Sequence, residues 1–534
     1  MNTSLPASQK NELEVKNPMP NRRVFLAAVI ILYLITAAFH IAAASKGWRI
    51  YRDQHICTAL EYAKGNIDLM NPVVVGFNAN NTPTPQEFPI WQATAAVLFK
   101  LFGLSFVWAN VASLLIAATT IWPVFQLAKS SAGERAAWWT LLFFLSQPLI
   151  FYMSGRGGTD ASCLTITVWF MYFADRMIRS GDWRWFVPAA AFGALSAITK
   201  APFFFCAGLA CFFLLLLHGK RSVVRWGMLA GVGVFAVLVF KLWSHHTDAV
   251  VANAEFPLVD LRVSAGEDGG KFMRDWLFGD MQYRLNPANW IKGGWRVMNS
   301  QFGSFALLGF LAWGLFWSKN RLGQFWLLAG FLTTLVFTHL VLHHSHYYLM
   351  ISPAVALLCG VAAERLEQKL GCVGSERNAS AWIVIGGSLV LLLLSTLQGL
   401  IGMKLSLDGD PYPGRMASVI RSQTQPGDKL LIQGGGWGGH LLFLSDRKGL
   451  SIWTTEFLEK PENLTRIKEL GFTKLVMVSS SPMLAAVQQT NPGQSDTRRD
   501  SYRKCMTDVV NAWPTLMETE DVLIKEIPRA TAAK

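Results

Sequence analysis

Long apolar runs separated by short polar joints fill most of the chain between residues 24 and 403. Because a helix that crosses a bilayer needs about 20 mostly apolar residues, this pattern predicts about 11 membrane spans. The two short runs on either side of Lys200 can also form a single pair of helices that is broken at Lys200. The predicted spans are 24–45, 104–127, 136–153, 161–177, 185–199, 203–217, 223–243, 302–317, 325–342, 348–363 and 382–403.

The charges of the joints predict which ends of the spans share a side of the membrane. Arg22 and Arg23 precede the first span. Lys and Arg accumulate in cytoplasmic loops, and if this terminus is cytoplasmic, every other joint on its side is basic as well. The basic residues of those joints are Lys129, Arg135, Arg176, Arg179, Arg184, Lys220, Arg221, Arg225, Lys319, Arg321, Arg365, Lys369 and Arg377.

The division of the chain follows from this alternation. Residues 1–23 are predicted as a cytoplasmic N-terminus and 24–403 as a membrane domain, with the loops 46–103 and 244–301 on the outer side. The tail, 404–534, is also predicted outside. Its segments "DKLLIQGGG", "LSIWTT" and "KLVMVSS" resemble short strands, and "ENLTRIKELG" resembles a helix between the last two. This alternation predicts a small α/β domain.

The first outer loop is predicted to contain two helices. The segment "RDQHICTALEYAKG" is typical of a surface helix, and a Pro/Asn-rich stretch, "NPVVVGFNANNTPTP", follows it. Residues 90–102 are apolar but too short to cross a bilayer, and Gly103 ends the run. We therefore expect an interfacial amphipathic helix there.

Composition agrees with a multi-pass membrane protein. The 534 residues are 52% hydrophobic and only 16% charged, whereas soluble domains carry about 25% charge. The net charge of +13 would suit a nucleic-acid partner in a soluble protein, but here basic loops facing anionic lipid explain it, so no nucleic acid is expected. The 7 cysteines show no CxxC or zinc-type spacing.

Several ionisable residues fall at span ends on the predicted outer side. Charged groups near spans are costly unless they are solvated, paired or functional, so each of them alone can be an interfacial side chain. Their recurrence on one face favours a shared site. Asp160 has a further structural explanation, because its carboxylate or the Thr159 hydroxyl can cap the following helix. The outer-side residues are Asp53, Glu87, Arg156, Asp160, Lys200 and His346.

Two other motifs have stronger structural explanations than functional ones. In "GGGWGGH", Gly434, Gly436 and Gly439 match the G-x-G-x-x-G spacing, but such a match is weak in a glycine-rich run. The segment is predicted on the outer side, so we expect a structural turn and no nicotinamide or flavin cofactor. The "HHSH" segment at 343–346 can be a metal cluster, although an interfacial aromatic/His belt is favoured.

Taken together, these motifs resemble the bacterial membrane glycosyltransferases of the protein-mannosyltransferase and aminoarabinose-transferase type, which have the GT-C fold. The resemblance spans most of residues 20–450 and rests on the order and shared side of the motifs, since none is specific alone. The motifs are "RDQ", "EFPIWQ", "GRGGTD", "AITKAP", "HYYLMISP" and "GGGWGGHLLFLSDRKG".

The resemblance implies a GT-C type membrane domain and an enzyme of the cytoplasmic (inner) membrane. Such an enzyme moves a hexose or pentose from a polyprenyl-phosphate donor to a lipid, glycan or protein acceptor on the outer side. By resemblance, Asp53 and Asp160 are the catalytic carboxylates, with Asp53 as the candidate base. Lys200 matches the cation near the donor phosphate. Cations assist where charge develops as the phosphate leaves, and both Lys200 and Arg156 can serve there.

The resemblance also assigns supporting roles and leaves alternatives open. Glu87 matches the acidic residue before a Phe-Pro step, and His346 and Tyr347 match an H-x-Y-Y type segment. Asp53, Asp160 and Glu87 can instead hold a divalent metal ion on the phosphate. The rival functions are a transporter or flippase of a lipid-linked glycan, for which no inverted repeat is visible, and a non-catalytic envelope-assembly subunit.

Overall fold

The computed structural model confirms a mostly helical chain with one small sheet towards its C-terminal end. It describes residues 22–45, 53–218, 222–253, 274–369, 378–402, 412–433, 439–452, 458, 460–478, 510, 512–518 and 522–528.

Nine helices, α1 to α9, form the first half of the described chain. A short 3-10 turn, Trp183–Trp185, joins α7 to α8. The nine helices are Arg22–Ala44, Asp53–Lys64, Ile90–Phe102, Phe106–Ala132, Glu134–Ser146, Pro148–Ser154, Asp160–Ser180, Phe186–His218 and Val223–Ala252.

The following helices, α10 to α16, include several short ones. A π-helical turn, Met298–Phe302, separates α11 from α12, and a 3-10 turn, Ser345–Ile351, leads into α15. The seven helices are Met281–Leu285, Pro287–Val297, Phe305–Trp317, Arg321–Val336, Thr338–His343, Ser352–Lys369 and Asn378–Gly402.

The described helices confirm a multi-pass protein but do not confirm the predicted number of spans. By length and composition, five of them can cross a membrane, or seven if two sharply bent pairs are each one span. One bent pair is α5 with α6, where Pro148 starts a new helix at 68° to the first. The predicted span 136–153 is therefore not straight. The count of about 11 stays a prediction.

Helix α8 consists of two legs that fold back on each other at Lys200. A straight helix of its length would separate the two ends by about 50 Å. Instead, the ring of Phe186 at its start packs on Gly231 of α9, and the carbonyl of His218 at its end accepts a 3.0 Å hydrogen bond from Arg225. Both ends thus lie beside the start of α9, as expected of a pair broken at Lys200.

The joints that the charge pattern assigns to the cytoplasmic side lie together. Polar and charged side chains link the start of α1, the α4–α5 joint, the end of α7, the α12–α13 joint and the end of α15. This grouping confirms that these joints share one end of the bundle, while the side of the membrane that it faces stays a prediction. The contacts are Arg22–Glu134, Ser130–Asp175, Ser131–Asn320 and Arg135–Glu367.

The tail contains the predicted α/β arrangement and two strands that the pattern did not predict. The three predicted strands are β1 (Lys429–Gln433), β2 (Lys448–Ile452) and β3 (Lys474–Val478), all parallel. Two further strands, β4 (Thr515–Glu518) and β5 (Val522–Glu526), add an antiparallel side, and the sheet order is β2-β1-β3-β5-β4.

Three helices with described bounds accompany these strands. They are α17 (Tyr412–Gln423), α18 (His440–Ser445) and α19 (Pro461–Glu469), and α19 is the predicted helix between β2 and β3. Of the glycine-rich segment, 434–438 lies outside the described residues. Gly439 is described and directly precedes α18.

The tail docks on the first outer loop through backbone contacts. The amide of Ser451 in β2 donates a 2.9 Å hydrogen bond to the carbonyl of Gly76, which extends the sheet by one bridge. Gly439 approaches the same loop so closely that a Cβ there would lie 2.0 Å from the carbonyl oxygen of Val75. Only glycine permits this approach.

Helix α2 lies under this contact, which corrects the prediction of a surface helix. Its residues Ile56, Cys57 and Leu60 are buried in one apolar cluster with Leu430 and Leu441 of the tail. The helix is apolar on the face that the tail covers. The predicted interfacial helix, α3, has the predicted bounds, and it buries Trp91 and Phe99 while Leu101 is 67% exposed.

Candidate functional site

Lys200 stands at the break between the two legs of α8. Its backbone is extended, with φ −161° and ψ 94°, inside an otherwise helical segment. Proline lacks the amide hydrogen that would bond to the carbonyl four residues earlier, so Pro202 leaves the carbonyl of Ile198 unbonded within the helix. The amide of Phe88 takes that place at 3.2 Å. The break therefore both turns the chain at Lys200 and fixes the "EFP" segment beside it.

Glu87 is carried by this segment. The indole of Trp243 donates a 2.9 Å hydrogen bond to the carbonyl of Gln86, and its ring packs edge-on against Phe88 at 5.2 Å between centroids. With both neighbours fixed, the Glu87 carboxylate reaches within 3.5 Å of the Lys200 ammonium.

Asp160 provides the second carboxylate at Lys200. The distance from its Oδ1 to Lys200 Nζ is 2.6 Å, and both side chains are only 3% exposed. Asp160 lies in the first turn of α7, where the helix dipole stabilises a negative charge. The "GRGGTD" joint before it packs tightly, since a Cβ on Gly155 would lie 2.3 Å from the His40 ring.

The Thr159 hydroxyl does not provide the helix cap that was one structural explanation for this joint. Thr159 occupies the N-cap position of α7, but its side chain makes no capping hydrogen bond. Its hydroxyl donates instead to Glu87 at 2.5 Å. Asp160 contacts Lys200 and Thr159 contacts Glu87, so both side chains link the start of α7 to other segments.

His55 belongs to the cluster and was missed by the sequence analysis. It is buried in the first turn of α2, and its Nδ1 accepts a 3.3 Å hydrogen bond from the amide of Thr159. Because Nδ1 accepts, the proton of a neutral ring lies on Nε2, which is 3.4 Å from Glu87 Oε2. The only sequence signal was its position two residues after Asp53.

Asp53 begins α2, on the same helical turn as His55. This backbone placement brings the predicted base close in sequence to a ring that contacts the start of α7. Its side chain lies outside the described part of the chain, so the prediction that it faces Asp160 stays a prediction.

Tyr347 and His346 lie together beside Lys200. The Lys200 ammonium lies 4.9 Å from the centroid of the Tyr347 ring, a cation–π distance. His346 stacks beside Tyr347 at 4.5 Å, and both residues are buried. The 3-10 turn that carries them is held by Gln301, which donates a 3.2 Å hydrogen bond to the carbonyl of Tyr348.

Arg156 lies in the joint before Asp160. Its guanidinium covers the ring of Tyr152 at 4.7 Å, and its carbonyl accepts a 3.1 Å hydrogen bond from Ser113. The joint is thus tied to α4 by its backbone. The role of Arg156 at a donor phosphate stays a prediction.

The predicted metal ligands are only partly described. Among the side chains that the structure describes, no group of three His, Cys, Asp or Glu residues could hold an ion. Asp160 and Glu87 both contact the ammonium of Lys200. The side chain of Asp53, the third predicted ligand, lies outside the described part of the chain, so a divalent metal ion stays a prediction.

These features define a class: a multi-pass helical membrane protein with a buried, ion-paired cluster near the α/β tail. Residues 84–244, which contain Glu87, Asp160 and Lys200, match the family model described as dolichyl-phosphate-mannose-protein mannosyltransferase. No curated protein matches the chain in sequence.

Solved structures identify the fold more fully. The chain is similar to ArnT from Cupriavidus metallidurans bound to undecaprenyl phosphate, with a TM-score of 0.58, 14% identity, and 96% of this chain and 98% of that chain covered. It is also similar to the arabinofuranosyltransferase AftD from Mycobacteria, with a TM-score of 0.56, 14% identity and coverages of 96% and 40%.

A third similar structure is the oligosaccharyltransferase AglB from Archaeoglobus fulgidus in complex with an inhibitory peptide and a dolichol-phosphate. The TM-score is 0.51, the identity 12%, and the coverages are 84% of this chain and 69% of that chain. The chain therefore has the GT-C fold of ArnT-like and protein-mannosyltransferase-like membrane proteins, as the resemblance implied.

Proposed function

We propose that the protein is a glycosyltransferase of the inner membrane, which moves a sugar from a polyprenyl phosphate to an acceptor on the outer side. The observation that carries this proposal is the Lys200 ammonium, buried at the break of α8 between Asp160 and Glu87 and beside the Tyr347 ring. The similar structures with undecaprenyl phosphate and dolichol-phosphate support a lipid-phosphate donor.

The proposed step breaks the bond between the anomeric carbon and the phosphate oxygen of the donor. An acceptor oxygen forms a new bond to that carbon, and its proton passes to a carboxylate, for which Asp53 is the candidate. The electron pair of the broken bond stays on the phosphate, so polyprenyl phosphate leaves. Lys200 stabilises the charge that develops there.

The charges around Lys200 decide how it can bind a phosphate. Asp160 and Glu87 bring two negative charges to one ammonium, so a second cation is needed to offset an incoming phosphate. Arg156 is the candidate. Glu87 makes the longer of the two contacts with Lys200, at 3.5 Å, and is the partner that a phosphate would displace more easily.

The experiment is to incubate purified protein with several polyprenyl-phosphate sugars and to measure released polyprenyl phosphate together with glycosylated acceptor. We expect release by the wild type and none by Lys200→Ala. Lys241→Ala is the matched control, because Lys241 is an exposed lysine of α9. Movement of intact donor across the membrane without release would identify a flippase instead.

A further inference from the structure

A second cluster of rings lies outside the Lys200 site. It consists of Trp276, Tyr283, His339, His343 and His344, which we call the ring platform. The distance between ring centroids is 4.6 Å for Tyr283 and His339. It is 5.3 Å for the stacked pair His339 and His343, and 5.3 Å for Trp276 and His344. The platform is assembled from three segments of chain, namely the helical segment 274–278, α10, and α14 with the residue after it.

The ring platform is continuous with the proposed phosphate site. The ring centroids of His344 and His346 are 5.3 Å apart, and those of His346 and Tyr347 are 4.5 Å apart. The Tyr347 centroid is 4.9 Å from Lys200 Nζ. The ring centroids of His344 and Tyr347 are 6.4 Å apart, so the Tyr347 ring links Lys200 directly to His344.

The rings of the platform contact one another and connect to a buried lysine, a continuity that an interfacial aromatic/His belt does not require. Arg296 fixes their carrier, because its guanidinium donates to the carbonyls of Leu342 and His343 at the end of α14.

The platform has the chemistry of a polyol site. Each imidazole of the platform has two ring nitrogens that can form hydrogen bonds, which suits hydroxyl groups. The indole of Trp276 is a large, mostly apolar ring and is half-buried. Binding sites for small ligands combine such apolar faces with a few polar groups.

We propose that the ring platform binds the sugar of the lipid-linked donor. Trp276 stacks on the apolar face of the sugar, and His344 exchanges hydrogen bonds with its hydroxyl groups. This inference rests on the proposed function, and it adds a sugar subsite distinct from the phosphate contact of Lys200.

The test compares two probes on the same proteins. One is undecaprenyl phosphate, and the other is undecaprenyl phosphate carrying a hexose, an N-acetylhexosamine or a pentose, of which the tightest binder is used. In Trp276→Ala and His344→Ala we expect the preference for the sugar-bearing probe to fall about tenfold, the size of one aromatic or hydrogen-bond contact. Affinity for undecaprenyl phosphate should stay within about twofold of the wild type.

Controls separate the platform from general effects. Trp276→Phe and His344→Gln keep a ring face and a hydrogen-bonding group, and they should restore most of the preference. Trp295→Ala and His245→Ala change exposed residues of the same types and should behave as the wild type. An unchanged preference in the Trp276→Ala and His344→Ala variants, or equal losses for both probes, would overturn the sugar subsite. A wild type that prefers no sugar-bearing probe would contradict the proposed function itself.

Discussion

The ammonium of Lys200 lies 2.6 Å from a carboxylate oxygen of Asp160, although 40 positions separate the two residues. Asp160 is the first residue of α7, and Lys200 stands at the break of α8. A buried ion pair contributes little net stability compared with apolar residues of the same size. Its presence at a helix start and a helix break therefore favours a functional role.

Breaking this pair should separate stability from activity. Lys200→Met leaves Asp160 charged and buried, so we expect a loss of about 3–5 kcal/mol in the free energy of unfolding. Adding Asp160→Asn removes that charge and should restore most of the stability. Sugar transfer should be absent from both variants. Thermal unfolding and transfer assays check this, and normal transfer by the double variant would reduce the pair to a structural link.

Replacing His55 should disturb the start of α7. His55→Ala leaves the buried amide of Thr159 without its acceptor, which we expect to cost about 1–3 kcal/mol. His55→Asn keeps an acceptor near the position of Nδ1 and should recover part of this stability. Unfolding of the purified variants measures the effect, with His245→Ala as the exposed-histidine control. Equal stability of all three variants would show that the contact contributes nothing.

The sequence indicated which residues lie around Lys200, but it did not predict the contacts between them. Glu87, Asp160, Lys200 and His346 could be grouped because their polar joints fall on one side of the bundle, whereas Tyr347 was implied only by the resemblance. Their distances could not be predicted, because they depend on the fold-back at Lys200, where Phe88 replaces the amide that Pro202 lacks. His55 escaped notice because a single histidine in a helix carries no periodic signal.

In the tail, too, the features that depend on long-range contacts could not be predicted from the sequence. Strands β1 to β3 could be predicted from short apolar runs, whereas β4 and β5 follow a long polar stretch and complete the sheet through long-range pairing. The burial of α2 was also missed. Ile56 and Leu60 do share one helical face, but only the docked tail shows what covers it.

A side chain at Gly439 should weaken the docking of the tail. Gly439→Ala would place a Cβ 2.0 Å from the carbonyl oxygen of Val75, and such overpacking typically costs about 1–3 kcal/mol. Gly427→Ala is the control, because a Cβ there meets nothing within 4 Å. We expect faster proteolysis of the tail in the first variant only. Identical digestion of both variants would contradict a tight contact at Gly439.

The two ends of the bundle should face opposite sides of the membrane. Lys319 and Lys448 are exposed, one in the α12–α13 joint and the other at the start of β2. Single cysteines at these positions, with Cys372 and Cys505 replaced by serine, should react differently with an impermeant maleimide on intact cells. Lys448→Cys should be labelled and Lys319→Cys should react only after lysis. Labelling of both from outside would overturn the predicted orientation.

Asp53 provides the most direct test of the proposed chemistry. It begins α2, on the same helical turn as His55, which contacts Thr159, so its backbone is placed near the start of α7. Asp53→Asn keeps the size of the side chain and removes the charge and the basicity. Loss of a general base typically lowers the rate about 10²–10⁴-fold. We expect a fall of this order in sugar transfer, with affinity for undecaprenyl phosphate retained because Lys200 is untouched.

Glu61→Gln, which alters another carboxylate of the same helix, should transfer sugar normally. Near-normal transfer by Asp53→Asn would remove Asp53 as the base, and equal loss of lipid binding would assign it to the donor instead.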